Sequence, residues 1–413
     1  MSSNYKVASL FCGCGGIDKG LEGGFELPYQ PVGSIERLKF DVVWANDFNP
    51  KAIKSYRVNF PKHYSICGDI VSIVKRAKRE KKKDERENKP NSNRIQHTSK
   101  VKNSTPVPTE NGIRFQLNGS KSFDGINDEF LFLGPNAVDV VTGGFPCQPF
   151  SLAGKRQGLA DKRGKLYMAM LDVVEMLQPK LFIAENVAGL LSAKIDKDDV
   201  IHKIRDDFLK IHYRLEWKLF TASDFGVPQR RQRVIIVGVR NDLPDFRLAE
   251  RMEKLMPALN SKLSVSLIKS PISISKGIGS LEKKKWDPAS MHVWSRALLN
   301  RGQGNTTCKP NEPAPTMRAE HHGNIEFHYC AEDEPQFQKR SVHDNVRDKI
   351  TRRLSVREAA LIQSFPKDFI FKGSATDAYR QIGNAVPPLL AWHVGKAVES
   401  YLDDLKLKSV AQR

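Results

Sequence analysis

Between Lys6 and Val239 the chain alternates short, nearly continuous apolar runs with stretches whose apolar positions recur every three or four residues. The runs "KVASLF" (6–11), "DVVWAN" (41–46), "AVDVVT" (137–142), "KLFIAE" (180–185), "YRLEWKLF" (213–220) and "RVIIVGV" (233–239) are short, rich in β-branched and aromatic residues, and read as strands. "GIDKGLEGG" (16–24), "PKAIKSYRVNF" (50–60, opened by Pro50), "KLYMAMLDVVEML" (165–177) and 200–210 carry the helical spacing. Strands separated by helices make βαβ units, so the expected fold is α/β with a doubly wound, mostly parallel sheet.

Two segments break this rhythm. About 72–126 is polar and poor in aromatics, with "KREKKKDEREN" at its start, and has the composition of an insertion that is mobile at least in part. From 241 to 350 the alternation stops and Pro, Gly, Lys and His are scattered, which predicts a second, smaller domain after a first domain over 1–240. Over 351–413 "SVREAALIQSF" and "NAVPPLLAWHVGKAVESYL" read as two more helices.

Charge changes the picture. Sixty-six Lys and Arg against 47 Asp and Glu leave a formal charge of +19, which suits a polyanionic partner, nucleic acid above all. Part of the excess is local, because 12 of the 28 residues from Lys75 to Lys102 are basic and four are acidic. No apolar run approaches the ~18 residues that cross a bilayer, and the N-terminal residues lack a signal peptide's layout, so no membrane association and a cytosolic (cytoplasmic) or nuclear location are expected. Six scattered cysteines argue for free thiols, and their spacing does not favour a metal site.

Candidate chemistry collects at the ends of the predicted strands. "LFCGCGG" follows the first strand and opens a helix, a place where glycines let a ligand approach the backbone. The second strand ends in Asp47, whose carboxylate could accept bonds from two ribose hydroxyls, and Asp69 in "CGDI" follows a further short strand. Together they indicate a cofactor containing adenosine, either a dinucleotide or S-adenosylmethionine; the full dinucleotide fingerprint is missing, which favours the latter. "GGFPCQPFS" (143–151) puts Cys147 in a rigid turn after another strand, and "KLFIAENVAGLL" delivers Glu185 to the same edge. A cysteine is more often a structural residue, but a thiol beside a carboxyl group that apolar surroundings push towards its neutral form suits methyl transfer to an unreactive carbon. "FGVPQRRQRVIIVGV" clusters Arg230, Arg231 and Arg233 at a strand start, where they are either anion ligands or a solvated basic edge. "QIGNAVPP" places Gly383 and Asn384 before a helix, as an N-cap or as a ligand contact.

In this order "FCGCGG", "NDFNPKAIKSYRVNFP", "GDI", "GGFPCQPFSLAGKRQG", "AENVAGLL", "FGVPQRRQRVIIVG", "RRLSVREAALIQSFP" and "QIGNAVPP" resemble the DNA (cytosine-5) methyltransferases, of the type that accompanies restriction systems. The resemblance covers about 7–69, 138–240 and 352 onward. It implies a Rossmann-like domain that binds S-adenosylmethionine and a target-recognition domain over 241–350. It also implies a reaction on a base flipped out of double-stranded DNA. Cys147 would add to carbon 6 of cytosine, Glu185 would serve ring nitrogen 3, and Arg231 and Arg233 would hold the base and the active-site loop. Phe11, Gly13, Gly15, Gly16, Asp47, Asp69, Ile70, Pro146 and Asn384 would border the cofactor. Gln148, Ser151, Lys155, Arg230, Thr316 and Arg318 would face DNA. A monomer with a separately encoded restriction endonuclease is the partner pattern implied. The long link from Asp69 to Cys147 departs from the family, and so does the absence of an acid after "RGKL". A tRNA methyltransferase on the same scaffold, a non-catalytic DNA-binding relative and an NAD-dependent oxidoreductase are the competing readings.

Overall fold

The structure, a computed structural model, describes residues 4–87, 107–109, 112–114, 135–145, 164–195, 198–253, 271–279, 307–308, 311–319, 328–330 and 351–411. Its centre is a seven-stranded sheet of β1 (Tyr5–Leu10), β2 (Phe40–Asp47), β3 (Ser65–Cys67), β4 (Val140–Gly143), β5 (Leu181–Val187), β6 (Tyr213–Thr221) and β7 (Gln232–Arg240). Their order across the sheet is β6-β7-β5-β4-β1-β2-β3. β1 to β5 run parallel, and β7 lies antiparallel between β5 and β6. Each apolar run read as a strand is one, within three residues at either end.

The runs look continuous because both faces of the sheet are covered. On β5, Leu181 and Ile183 join one core while Phe182 and Ala184 join the other; on β7, Ile235 and Val237 face one way, Val234 and Ile236 the other. Helices α3 (Ile70–Glu87), α4 (Gly164–Leu177) and α5 (Val200–Lys210) cover one face. The other is covered by α1 (Gly16–Glu22), α2 (Pro50–Asn59), α6 (Val356–Ile362), α7 (Ala375–Asn384) and α8 (Pro388–Ala411). α8 packs along α1 so closely that a Cβ on Gly20 would lie 2.5 Å from the Ala391 Cβ. It also reaches the foot of β1, where the Tyr5 hydroxyl donates to Asp403 Oδ1 at 2.6 Å.

Two placements differ from the sequence reading. The first part of the basic run is helical: α3 continues to Glu87 because Lys, Arg and Glu are good helix formers. α3 begins where β3 ends, and Lys78 pairs with Asp172 of α4 at 2.6 Å. α4 in turn finishes at Leu177, whose carbonyl accepts from Asn136 just below β4. The helical basic residues therefore lead away from the strand ends that carry the candidate chemistry. Secondly, Gly383 and Asn384 close a helix, α7, which the sequence reading did not foresee; Ser374 and Asp377 form its capping box. Asn384 is thus not an N-cap. Phe246, Leu248, Met252, Ile272, Ile274, Ile278, Ala314 and Met317 belong to the same core as β1 and α8.

Within that core His393 of α8 is buried, its ring edge-on to Phe225 at a centroid distance of 5.2 Å. Burial pulls its pKa down to about 4, against an opposing hydrogen bond to the Phe225 backbone. The unfolded chain takes up this proton near pH 6.5 and the folded chain does not, so stability is lost as pH falls from about 6.5 towards 4. This histidine should account for about 2 kcal/mol of lost stability between pH 7.5 and 5. Urea unfolding at the two pH values checks this, and His393→Leu should flatten the difference by that amount.

Candidate active site

The C-terminal ends of β1 to β5 share one rim, and β7, running the other way, starts there: Arg233 lies opposite Val187 and Ile235 opposite Glu185. Phe11, Gly13 and Gly15 follow β1 with φ of 52°, 56° and 98°, a left-handed turn that aims α1 away from the rim. A Cβ on Gly15 would fall 2.2 Å from the Phe60 ring, and one on Gly16 2.4 Å from the Val386 carbonyl oxygen. Around the position of a Cβ on Gly13, by contrast, no described atom comes within 4 Å. The turn is thus packed below and open above.

Asp47, at the end of β2, is buried and accepts from the Gly13 N–H at 2.9 Å and the Asn49 N–H at 2.8 Å, one bond to each oxygen. Burial pushes its carboxyl up, and these backbone donors oppose that. Between Asp47 and Asn49 the Phe48 ring stands 70% exposed on the rim, a feature the sequence reading passed over although an aromatic directly after a candidate ribose acid was the signal. Asp69 caps α3, accepting from the Ser72 hydroxyl at 2.8 Å and from the Val71 and Ser72 amides; Ile70 beside it is buried. Asn384 is exposed, one residue before Ala385, which abuts Gly16. Phe11, Gly13, Gly15, Gly16, Asp47, Asp69, Ile70 and Asn384 therefore surround the ends of β1 to β3. Pro146 lies outside the described residues.

Glu185 is buried on β5 and ion-paired with Arg233, a partner that the sequence reading had not assigned to it. A Cβ on Gly144 would come to 3.0 Å from Glu185 Oε2, so glycine eases the close passage of the backbone at 144 against the carboxylate. Next to it Asn186 donates from Nδ2 to the Phe145 carbonyl at 2.9 Å, tying β5 to the same turn. Cys147, Gln148, Ser151 and Lys155 lie outside the described residues.

The three arginines part ways. Arg231 is fully buried and donates to the carbonyls of Met317 at 2.9 Å and Gly383 at 2.7 Å. Burial pulls its pKa down, Arg233 adds to this and Glu185 opposes it. Arg230 is ion-paired with Glu312 at 3.0 Å. Arg233 alone of the three pairs with Glu185 among the described residues. Thr316 donates to the Arg230 carbonyl at 2.9 Å, and Arg318 beyond it is exposed. The sequence held no signal for two further buried side chains at this junction, Gln229 and Gln363. Among the described residues no cluster of His, Cys, Asp and Glu is suited to a metal ion, and no helix is long and apolar enough to cross a membrane.

Comparison with known proteins agrees with this layout. The Type II methyltransferase M.NgoFVII of Neisseria gonorrhoeae is 30% identical over 424 residues, covering 98% of this chain and 88% of that protein. M.BspRI of Lysinibacillus sphaericus, also a Type II methyltransferase, is 28% identical over 433 residues, with 98% and 83% covered. The crystal structure of the S. pombe Dnmt2 methyltransferase has the same fold, with a TM-score of 0.60 at 17% identity over 97% of this chain and 99% of that one. The model of the family described as C-5 cytosine-specific DNA methylase matches residues 5–97 and 115–400. The family model's match over 5–97 and 115–400, on a chain whose rim carries a glycine turn, the buried Asp47 and the buried Glu185–Arg233 pair, makes this protein a member of the C-5 cytosine-specific DNA methylase family.

Proposed function

We propose that the protein is a sequence-specific DNA (cytosine-5)-methyltransferase that uses Cys147 as nucleophile. The observation that carries the reading is the Glu185–Arg233 pair held against Gly144, three residues before Cys147. Phe145 is hydrogen-bonded to Asn186, the neighbour of Glu185, and Cys147 follows Phe145 by two positions in the sequence, which supports the reading.

S-adenosylmethionine fits the residues present. Asp47 has one protein donor on each oxygen and so keeps acceptor capacity for ribose hydroxyls, Phe48 offers an exposed face to adenine, and the turn at Gly13 is open. When bound, the cofactor supplies an electrophilic methyl group. The rest falls to the chain and the base. The Cys147 thiolate adds to carbon 6 of a flipped cytosine, while Glu185 provides the proton that ring nitrogen 3 needs as electron density moves onto the ring. This makes carbon 5 nucleophilic enough to take the methyl group. Water then takes the proton from carbon 5, the electrons of that bond expel the sulfur as thiolate, and the proton at ring nitrogen 3 returns to Glu185. Arg233 holds the Glu185 side chain in place.

On this reading 1–240 and 351–413 build the catalytic domain and 241–350 reads the target on double-stranded DNA. The enzyme would work as a cytoplasmic monomer alongside a restriction endonuclease. The test is expression in cells lacking cytosine methylation, followed by bisulfite sequencing of plasmid DNA. Protected cytosines confined to one short motif are expected. Protection of none, from folded protein, would shift the reading to an RNA substrate or to a catalytically silent relative.

A further inference from the structure

A second buried polar chain, separate from the chemistry, runs through the junction behind Arg231. Gln229 is fully buried; its Oε1 accepts from the Met317 N–H at 3.0 Å, and its Nε2 donates to Gln363 Oε1 at 2.6 Å. Gln363, equally buried, donates from Nε2 to the carbonyls of Ala385 at 2.7 Å and Ile382 at 3.1 Å. The direction is set at both ends. A backbone N–H at Met317 demands the oxygen of Gln229, and two backbone carbonyls at α7 demand the nitrogen of Gln363; only this head-to-tail arrangement satisfies both amides.

The chain joins two places that the proposed function keeps apart. One is the segment 311–319, further pinned by backbone bonds of Ala314 to Pro228 and Arg230, by Thr316 to the Arg230 carbonyl, and by Arg231 to the Met317 carbonyl. The other is the end of α7, where Ala385 and Val386 press on Gly16 of the cofactor turn. Both backbone polar groups of Met317, its N–H and its carbonyl, are held by buried side chains. Its neighbours Thr316 and Arg318 are therefore aimed by the frame that carries Glu185 and Arg233.

Resting on the proposed function, we infer that Gln229 and Gln363 are positioning residues for target choice: they hold the recognition segment in fixed register with the catalytic rim. A buried polar pair joined at one orientation specifies a geometry that an apolar contact of equal volume would leave free to slide. Specificity in such an enzyme depends on where a few exposed side chains meet base edges, and a small displacement relaxes it without removing them.

The test uses Gln229→Met in the full chain, which keeps the side chain's length and removes both hydrogen bonds. Plasmid methylation is read by bisulfite sequencing at the wild-type motif and at all sites differing from it by one base. The preference for the motif should fall by about tenfold or more, while the KM for S-adenosylmethionine stays within about twofold. A uniform loss of activity with unchanged preference, or a lower melting temperature alone, would overturn the inference and leave Gln229 a structural residue. If wild-type protein methylates nothing, it is the proposed function that fails, and the two failures are told apart. Should the variant not fold, amide hydrogen exchange of the wild type decides: a Met317 N–H as protected as the β7 amides supports the pin, and exchange at a surface-loop rate overturns it.

Discussion

Cys147→Ala should lose methyl transfer by about 10⁴-fold or more while keeping its fold and its affinity for S-adenosylmethionine. The size follows from the role proposed for the thiol: without a covalent bond at carbon 6, carbon 5 stays part of an aromatic ring and does not attack a methyl group at a useful rate. The selectivity follows from the structure. The described bonds from Asp47 to Gly13 and Asn49, and the bond from Asn186 to Phe145, involve no atom of Cys147. Calorimetry with S-adenosylmethionine and a single-turnover methylation assay separate the two effects. A variant that methylates at a normal rate would remove Cys147 from the mechanism. One that no longer binds cofactor would place the residue in the fold instead.

The next largest effect is expected from Glu185→Gln, which should lower kcat by about 10² to 10³ and leave the KM for the cofactor nearly unchanged. Glutamine fills the same space on β5 and still presents an oxygen to Arg233, so the change removes a transferable proton more than it removes packing. Arg233→Ala should cost a similar amount by freeing the carboxyl group to move. Because the two side chains act as one unit, the double variant should be little worse than the poorer single one. A double variant whose losses multiply would show that Arg233 and Glu185 act independently. Steady-state rates on a plasmid substrate for the three proteins give the answer.

How much of this could be read in advance depended on the range of the interaction. The strands were legible because burial on both faces leaves nearly unbroken apolar runs, and the positions of Asp47 and Glu185 followed from their place at the ends of those runs. Partners across the sheet were not. Glu185 meets Arg233 because β7 lies antiparallel to β5, in a register that no local spacing encodes. The reading that clustered Arg231 with Arg233 at a strand start missed that Arg231 precedes the strand and is sealed by carbonyls from Met317 and Gly383. Gln229 finds Gln363 across 134 residues, and a single polar residue in a loop carries no periodic trace of such a partner. α3 was under-read for a different reason: a run of charges has the composition of a solvated segment, yet the same residues are strong helix formers once a buried first turn, with Ile70 and Val74, nucleates them.

The hydrogen bond between Tyr5 and Asp403 spans 398 positions. Together with the α1–α8 packing, it means that the glycine turn after β1 is made early in synthesis and supported late. A ribosome adding about 5–20 residues per second needs roughly 20–80 s to travel from β1 to α8. Through that interval α1, with the glycine face that Ala391 later covers, hangs on an unfinished core. Growing chains should therefore be inert towards DNA and dependent on chaperones, and activity should switch on only when α8 leaves the exit tunnel.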